Sequence, residues 1–407
     1  MSSTTLESRV LSILPDKAGA TQEQKRLAKD LMLLCVSPDG LAAVPDRVAC
    51  ALSRLTEWDF FLNLVEENGV ASLVAHNLDV AGVLDRIPSA YRGCIERSYQ
   101  TTLYRNMMLT GALQEIIAAF NRGHIPSIVL KGTVLAERLY GNPGVRPSGD
   151  IDILVPPEAS SQAGQVLRGL EYCQATSSGG WVHPFHEAPY IKQGIVPLVI
   201  ELHRGLEDKK LAAISADEIW RHAVPIEIQG TTTKVLSPAH TILFSAYHVC
   251  KHSRQTLKSL ADIAQMVKMY RDTVDWQAVI DTSRAWEIDG PVYFPLLQAR
   301  EWLGAPVPDE VLRELRPKRL QRFLPGFLVS QQFVVFPTRQ KRLRDETFTM
   351  ARCLMMGRFR KAMLIITRNR RNKRAALFRA AAWLVLVVTA AIFRNTLAAA
   401  DGRDALT

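Results

Sequence analysis

The segment Ile128-Val-Leu-Lys-Gly-Thr133 is followed by an amphipathic stretch, a turn rich in proline and glycine, and the run Asp150-Ile-Asp-Ile-Leu-Val155. Both quoted runs predict strands, yet acidic residues are depleted in strands. Side chains alternate between the two faces of a strand, so Asp150 and Asp152 share one face. Carboxylates this close repel each other unless a cation lies between them, and a divalent ion that binds phosphates prefers such a pair.

A predicted phosphate-binding turn stands upstream of the aspartates, at the end of the first strand. Gly132 lets the backbone approach a phosphate closely, and the neighbouring N–H groups and the Thr133 hydroxyl can bind phosphate oxygens. Lys131 and Arg146 flank this turn and are candidates to offset the charge of a triphosphate. The alternative for each of these two cations is a solvated charge on a loop.

Glu201 is the third candidate carboxylate, within the apolar strand Leu198–His203. A charge in such a strand is unfavourable without a partner. The alternatives to a functional role are a salt bridge to Arg204 and an exposed position at the edge of the sheet, where water is the partner. If this strand lies beside that of Asp150 and Asp152, three carboxylates converge. Two of them would then hold Mg²⁺ or Mn²⁺, and the third would accept the proton of an acceptor hydroxyl or hold a second ion.

The order of patterns predicts an α+β fold with a small mixed β-sheet core and flanking N- and C-terminal helical regions. Helical spacing dominates to residue 120 and again from 214 to 305, and the strand patterns lie between. We therefore predict four parts: an N-terminal helical region 1–120, the α/β core 121–210, a helical domain 211–310 that closes the cleft, and a tail 311–407.

Composition indicates a globular protein, with 47% hydrophobic and 22% charged residues in 407. The six cysteines are scattered without a Cys-x-x-Cys motif, which argues against a disulfide framework or zinc ribbon and suits a reducing compartment. The N-terminus has no basic-then-apolar signal sequence. We expect a cytoplasmic protein.

The tail is strongly basic: residues 317–374 hold sixteen Lys/Arg and two acidic residues, whereas the whole chain carries +10. An apolar run follows at 380–393, shorter than the roughly 20 residues that a spanning helix needs; extended to 375–393, it can span the membrane, lie on it or avoid it. Three interpretations of the 317–394 tail stay open. It is a solvated helical face, it contacts an anionic membrane surface such as the inner membrane, or it binds nucleic acid. Nucleic acid has the weakest support, because no aromatic-interleaved basic motif accompanies the charge.

Further candidate cleft residues are His203, His248, His252 and Asp262. His248 and His252 are four apart on a predicted helix and share a face, so with Asp262 they can be considered as zinc ligands. The spacing lacks the glutamate of the metalloprotease motif, and packing or a position in a substrate cleft is favoured.

Together these motifs resemble the nucleotidyltransferase superfamily of DNA polymerase beta and the aminoglycoside nucleotidyltransferases. They are most similar to the bacterial family usually called uncharacterised nucleotidyltransferase, whose members often occur with polysaccharide biosynthesis genes. The resemblance covers about residues 50–305. It implies that Asp150 and Asp152 are metal ligands, that Glu201 is the third acidic residue, and that Gly132 and Thr133 form the phosphate turn.

The resemblance implies Mg²⁺-dependent transfer of a nucleoside monophosphate from an NTP to a hydroxyl acceptor, with release of pyrophosphate. Two alternatives belong to other classes. The same fold can be a non-catalytic module that binds nucleotide or serves as a membrane-tethered assembly factor. It can also nucleotidylate tRNA or protein, as toxin-type relatives do.

Overall fold

The computed structural model describes residues 20–43, 45–175, 187–207, 212–251, 257–317 and Met356. Almost all of the predicted basic tail, including its apolar run, lies outside these residues, as does His252. The helices are α1 (Gln22–Val36), α2 (Gly40–Ala43), α3 (Pro45–Arg54), α4 (Trp58–Glu67), α5 (Ala71–Val80), α6 (Ser89–Arg122), α7 (Thr133–Tyr140), α8 (Ser160–Gly169), α9 (Ala216–His222), α10 (Pro238–Lys251), α11 (Leu257–Met269), α12 (Trp276–Ala285), α13 (Asp289–Leu303) and α14 (Asp309–Glu314). Short 3₁₀ helices cover Leu84–Arg86 and Pro157–Ala159. Within the described ranges, no helix combines the length and the apolar character that crossing a membrane requires.

The strands are β1 (Ile128–Val129), β2 (Ile151–Leu154), β3 (Cys173–Gln174), β4 (Glu187–Lys192), β5 (Leu198–His203), β6 (Val224–Ile228) and β7 (Thr231–Val235). They form one sheet in the order β3-β4-β5-β2-β1-β7-β6. The pairs β2–β5 and β1–β7 are parallel, and the other neighbours are antiparallel. This mixed sheet between helical regions confirms the predicted fold class.

Alternation along β2 and β5 decides which side of the sheet carries the acidic residues. Ile151 and Ile153 of β2, with Ile200 and Leu202 of β5, belong to a core shared with α6 and α8. The residues between them therefore face the opposite side. Burying one aliphatic side chain contributes about 1.5–3 kcal/mol. A one-residue slip of either strand would turn its apolar pair away from this core to the acidic side, so the hydrophobic core fixes the side on which Asp152 lies.

The long helix α6 connects the N-terminal helices to the sheet. It packs against α5, and Leu113, Ile116 and Phe120 in its C-terminal half cover the face of the sheet opposite the acidic residues. On the other side, the N-terminal helices and the helices from α10 onward share one hydrophobic core, which Ile128 and Leu154 of the sheet join. The sheet is therefore enclosed by helices from both ends of the described chain.

The hairpin β6–β7 differs from expectation, because we predicted helices throughout 214–305. The two strands, Val224–Ile228 and Thr231–Val235, pair antiparallel. Gln229 and Gly230 between them both have positive φ, 46° and 79°, as a two-residue hairpin turn of type I′ requires. The β-branched run after the glycine favours a strand, so the helical assignment was wrong in this segment.

Candidate active site

Asp152, Glu201 and His203 lie together on one face of the sheet. Asp152 and Glu201 are directly paired in the parallel register of β2 and β5. His203 Nε2 lies 3.0 Å from Asp152 Oδ1 and 3.7 Å from Glu201 Oε2. One potential ligand atom from each of the three residues lies within 4.8 Å of the others. The group is therefore compact enough to hold one metal ion.

The Lys131 ammonium completes this group from the end of β1. Its Nζ lies 3.2 Å from Asp152 Oδ2 and 3.9 Å from Asp150 Oδ2. Asp152 is fully buried, and its Oδ2 has no hydrogen-bond partner within the described part of the chain. A buried carboxylate oxygen without a hydrogen bond, beside a second carboxylate and an imidazole, fits the ligand chemistry of a divalent cation. Asp150 stands outside the three-residue group and pairs with Lys131 at the longer distance.

The pKa values of the two paired acids diverge. Burial alone would raise the pKa of Asp152, but the Lys131 ammonium and the hydrogen bond from His203 hold it well below its usual range. Burial, and then the negative charges of Asp152 and Asp150, raise the pKa of Glu201 to about 8. Two neighbouring carboxyl groups with such different proton affinities are typical of acid–base and metal sites.

The turn between β1 and α7 brings backbone close to the acidic residues. Gly132 caps the N-terminus of α7 with φ of 83°, a conformation that side chains disfavour. A Cβ at this position would lie 3.2 Å from the Asp150 carbonyl oxygen. The Thr133 hydroxyl is buried and has no hydrogen-bond partner among the described residues. The phosphate contacts assigned to Gly132 and Thr133 remain predictions.

Arg146 forms an interior ion pair instead of a solvated loop charge. Its Nε donates to Asp262 Oδ2 at 2.8 Å, and the Tyr140 hydroxyl donates to the other oxygen of Asp262 at 3.1 Å. Arg146 Nη1 also donates to the Gly132 carbonyl at 3.2 Å and to the Ser148 hydroxyl at 3.3 Å. We call Arg146, Asp262 and Tyr140 the arginine lock. It ties α11 and the loop that precedes β2 to the turn that starts α7.

The long helix α6 holds the same loop through residues that the sequence analysis missed. Asn106, fully buried, donates its side-chain amide to the carbonyls of Pro143 and Arg146 at 2.6 and 2.7 Å. Arg105 Nε donates to the Ser148 carbonyl at 3.1 Å. A useful signal was present in the sequence: adjacent polar residues interrupt the apolar spacing of a long helix. Nothing local, however, identifies the loop that they bind.

A cleft of about 80 Å³ lies beside the turn, between the sheet and the helices α10 and α11. From the core it is lined by Lys131, Gly132, Leu135, Arg146, Ser148, Gly149 and Asp150, and from the helices by Phe244, Ser245, His248, Lys258, Ser259 and Asp262. Lys258 Nζ donates to the Pro147 carbonyl at 3.1 Å. Burial and the nearby Arg146 lower the pKa of Lys258 to about 8. Lys258 is not among the residues that the motifs indicate, although its spacing of four residues from Asp262 places both on one helical face.

The candidate zinc site is not assembled by the residues that the structure describes. Asp262 is engaged by Arg146 and Tyr140, and His252 lies outside the described ranges. His248 does line the cleft, as the sequence analysis allowed. His203 joins the acidic residues instead of remaining a peripheral cleft residue.

The sequence profile of a family described as "Uncharacterised nucleotidyltransferase" matches residues 55–304. The chain belongs to this family. This confirms the resemblance that the motifs indicate, and the matched range includes the whole sheet with Asp152, Glu201 and His203. A solved structure with similarity to this nucleotidyltransferase is that of an antigenic nucleotidyltransferase-like protein from Paracoccidioides brasiliensis, with 14% identity, a TM-score of 0.30, and coverage of 50% of this chain and 95% of the other. A comparison with curated proteins finds no match.

Proposed function

We propose that this nucleotidyltransferase transfers a nucleoside monophosphate from an NTP to a hydroxyl acceptor, with Mg²⁺ or Mn²⁺ as cofactor. The observation that carries the proposal is the register of β2 and β5, which pairs Asp152 with Glu201 beside an Asp152 oxygen that no described residue hydrogen-bonds. Asp152 and His203 would hold the cation with Glu201 directly beside them, and Asp150 would add a carboxylate from the cleft side. Such a cation, when bound, neutralises phosphate charge and lowers the pKa of a bound hydroxyl.

In the proposed reaction, the acceptor oxygen forms a bond to the α-phosphorus while the bond from that phosphorus to the bridging oxygen breaks. Pyrophosphate leaves with the electron pair of the broken bond. Glu201 is suited to take the proton of the acceptor, because it lies directly beside Asp152 in the sheet register and because burial and the neighbouring acids raise its pKa, which makes its ionised carboxylate a stronger base. The alternative role for Glu201, as ligand to a second ion, uses the same position.

The phosphate chain would enter the cleft beside Lys131, Gly132 and Thr133. The enclosed volume of about 80 Å³ is far below the ~300–1,000 Å³ of sites that surround small molecules, so only part of an NTP is enclosed. The Arg146 guanidinium is already engaged with Asp262 and the Gly132 carbonyl. We propose that Arg146 acts on phosphate chiefly by shaping the turn, whereas Lys131 and Lys258 supply the charges that face the ligand.

We propose a role in polysaccharide biosynthesis, in which the acceptor would be a carbohydrate hydroxyl, because members of the resembled family often occur with polysaccharide biosynthesis genes. The basic tail would then keep the enzyme near an anionic membrane surface, peripheral to the membrane. Both statements belong to the proposal and are tested by supplying carbohydrate, RNA and protein acceptors with a labelled NTP. Label on a macromolecule would favour nucleotidylation of tRNA or protein instead.

The decisive test compares pyrophosphate release by the wild type and by Asp152→Asn in Mg²⁺ and NTP. Losing a metal ligand removes several kcal/mol of transition-state stabilisation, so we expect a loss of at least about 100-fold in rate. Asp281→Asn is the matched control, because Asp281 is an exposed residue of α12. Equal turnover by wild type and Asp152→Asn would refute the assigned site. Metal-dependent NTP binding without turnover would indicate the non-catalytic alternative.

A further inference from the structure

The Lys131 ammonium occupies a position that a metal ion at Asp152 would also need. It lies 3.2 Å from Asp152 Oδ2 and 3.9 Å from Asp150 Oδ2, and its side chain is 19% exposed. The ammonium is therefore the cation that faces this oxygen of the fully buried Asp152, at ion-pair distance. Lys131 therefore already balances the two aspartates from within the chain.

A divalent ion and an ammonium cannot share this oxygen without strong repulsion, because like charges a few ångströms apart in a partly buried site are poorly screened. One of the two must move when the other binds. The lysine has a flexible four-carbon stem, and its side chain also lines the cleft beside Gly132. The side chain can therefore leave Asp152 and stay within the site.

We propose that Lys131 is an exchangeable internal cation: metal binding at Asp152 displaces its ammonium into the cleft, where the phosphates of the nucleotide bind it. This inference rests on the metal site of the proposed function. It adds a sequence of events: the metal binds, the Lys131 ammonium moves into the cleft, and the phosphates of the nucleotide bind the ammonium there. Metal alone binds weakly, because the displaced ammonium has lost its carboxylates. Nucleotide provides a new anionic partner for the ammonium, so metal and nucleotide strengthen each other's binding by the same factor.

The test measures Mn²⁺ binding to the full chain by electron paramagnetic resonance, with and without a non-hydrolysable NTP analogue. Three variants are compared with the wild type. Lys131→Gln removes the internal cation, Lys131→Arg keeps the charge, and Lys234→Gln removes an equal charge from an exposed position on β7.

We expect Lys131→Gln to bind Mn²⁺ alone at least about tenfold more tightly than the wild type, because one neighbouring charge shifts ionic equilibria by about 1–3 logarithmic units. The analogue should strengthen Mn²⁺ binding much less in this variant than in the wild type. Lys131→Arg and Lys234→Gln should retain weak binding of Mn²⁺ alone and a strong effect of the analogue.

Equal affinity of wild type and Lys131→Gln for Mn²⁺ alone would overturn the exchange while leaving the metal site intact. Absence of Mn²⁺ binding in every variant, with and without the analogue, would overturn both the exchange and the metal site.

A second measurement uses only the wild type and does not depend on the folding of a variant. The reactivity of the Lys131 amine toward acylating reagents is followed by mass spectrometry of the labelled peptide. Release from the aspartates should raise the reactivity when Mn²⁺ is added alone, and the analogue added with Mn²⁺ should lower it again. Reactivity that Mn²⁺ does not change would contradict the displacement.

Discussion

Two buried charge clusters lie on either side of Gly132, and they differ in how completely their hydrogen bonds are satisfied. In the arginine lock, Asp262 receives Arg146 on one carboxylate oxygen and Tyr140 on the other. In the acidic site, Asp152 receives His203 on one oxygen, while the other faces the Lys131 ammonium without a hydrogen bond. A satisfied ion pair fixes backbone, whereas a carboxylate group with spare acceptor capacity can bind a ligand.

The largest effect should follow from breaking the lock. Asp262→Asn leaves the Arg146 guanidinium, whose side chain is 8% exposed, without its counter-charge. We expect a loss of about 3–5 kcal/mol in the free energy of unfolding, because an uncompensated buried charge is strongly unfavourable. Urea denaturation without metal measures it. The control Glu314→Gln breaks an ion pair with Arg284 in which both side chains are about half exposed. That pair should contribute roughly 0.2–1 kcal/mol, and a similar value for Asp262→Asn would contradict the lock.

The turn that joins the two clusters should be the next most sensitive position. Gly132→Ala places a Cβ 3.2 Å from the Asp150 carbonyl oxygen at a φ of 83°. We expect a loss of about 1–3 kcal/mol in unfolding free energy, the usual range for a strained backbone conformation. Gly169→Ala is the matched control, since a Cβ there meets no atom within 4 Å. If both substitutions have equal effects in thermal unfolding, Gly132 is not required by the backbone.

The smallest expected effect concerns the pH dependence of the acidic site. The folded protein retains the Glu201 proton up to about pH 8, whereas the unfolded chain releases it near its ordinary value of 4.5. The native state thus binds more protons between these values, so stability falls as pH rises through this window. Glu201→Gln should reduce this pH-dependent loss of unfolding free energy by about 1–2 kcal/mol. That figure allows for solvent screening and for the charge interaction of Glu201 with Asp152. Urea denaturation of the wild type and Glu201→Gln at pH 5, 6.5 and 8.5 without metal measures this difference. Unfolding free energies that change with pH in parallel for the two proteins would contradict the raised pKa of Glu201.

The acidic site was largely predictable from sequence because its determinants are local. Alternation in β2 and β5 places Asp152 and Glu201 opposite apolar residues, and the amphipathic stretch after Gly132 is the helix α7, which ends at Gly141 as that glycine favours. The structure has the expected strands at these residues, but it changes which side chains lie together. His203 joins the two acids, whereas Asp150 lies outside that group and pairs with Lys131.

The arginine lock could not be predicted in the same way. Arg146 and Asp262 are more than a hundred residues apart, and no local pattern links a loop arginine to an acid within an apolar helix. Asn106 likewise reads as an ordinary helix residue until the loop that it binds is in place. The hairpin β6–β7 is different, because Gln229 and Gly230 are a recognisable turn that the helical interpretation overlooked.

The position of β1 has a consequence for the order in which this protein is made. β1 contains only Ile128 and Val129, and its partner β7 lies more than a hundred residues downstream. Until Val235 has left the ribosome, one edge of β1 has no strand beside it, and the turn at Gly132 is anchored from one side only. A polypeptide that stops at residue 210 would keep that edge open to strands of other chains. The open edge of β1 is therefore closed only after β2 and β5 have been made, by a hairpin that contributes none of the site's acidic residues.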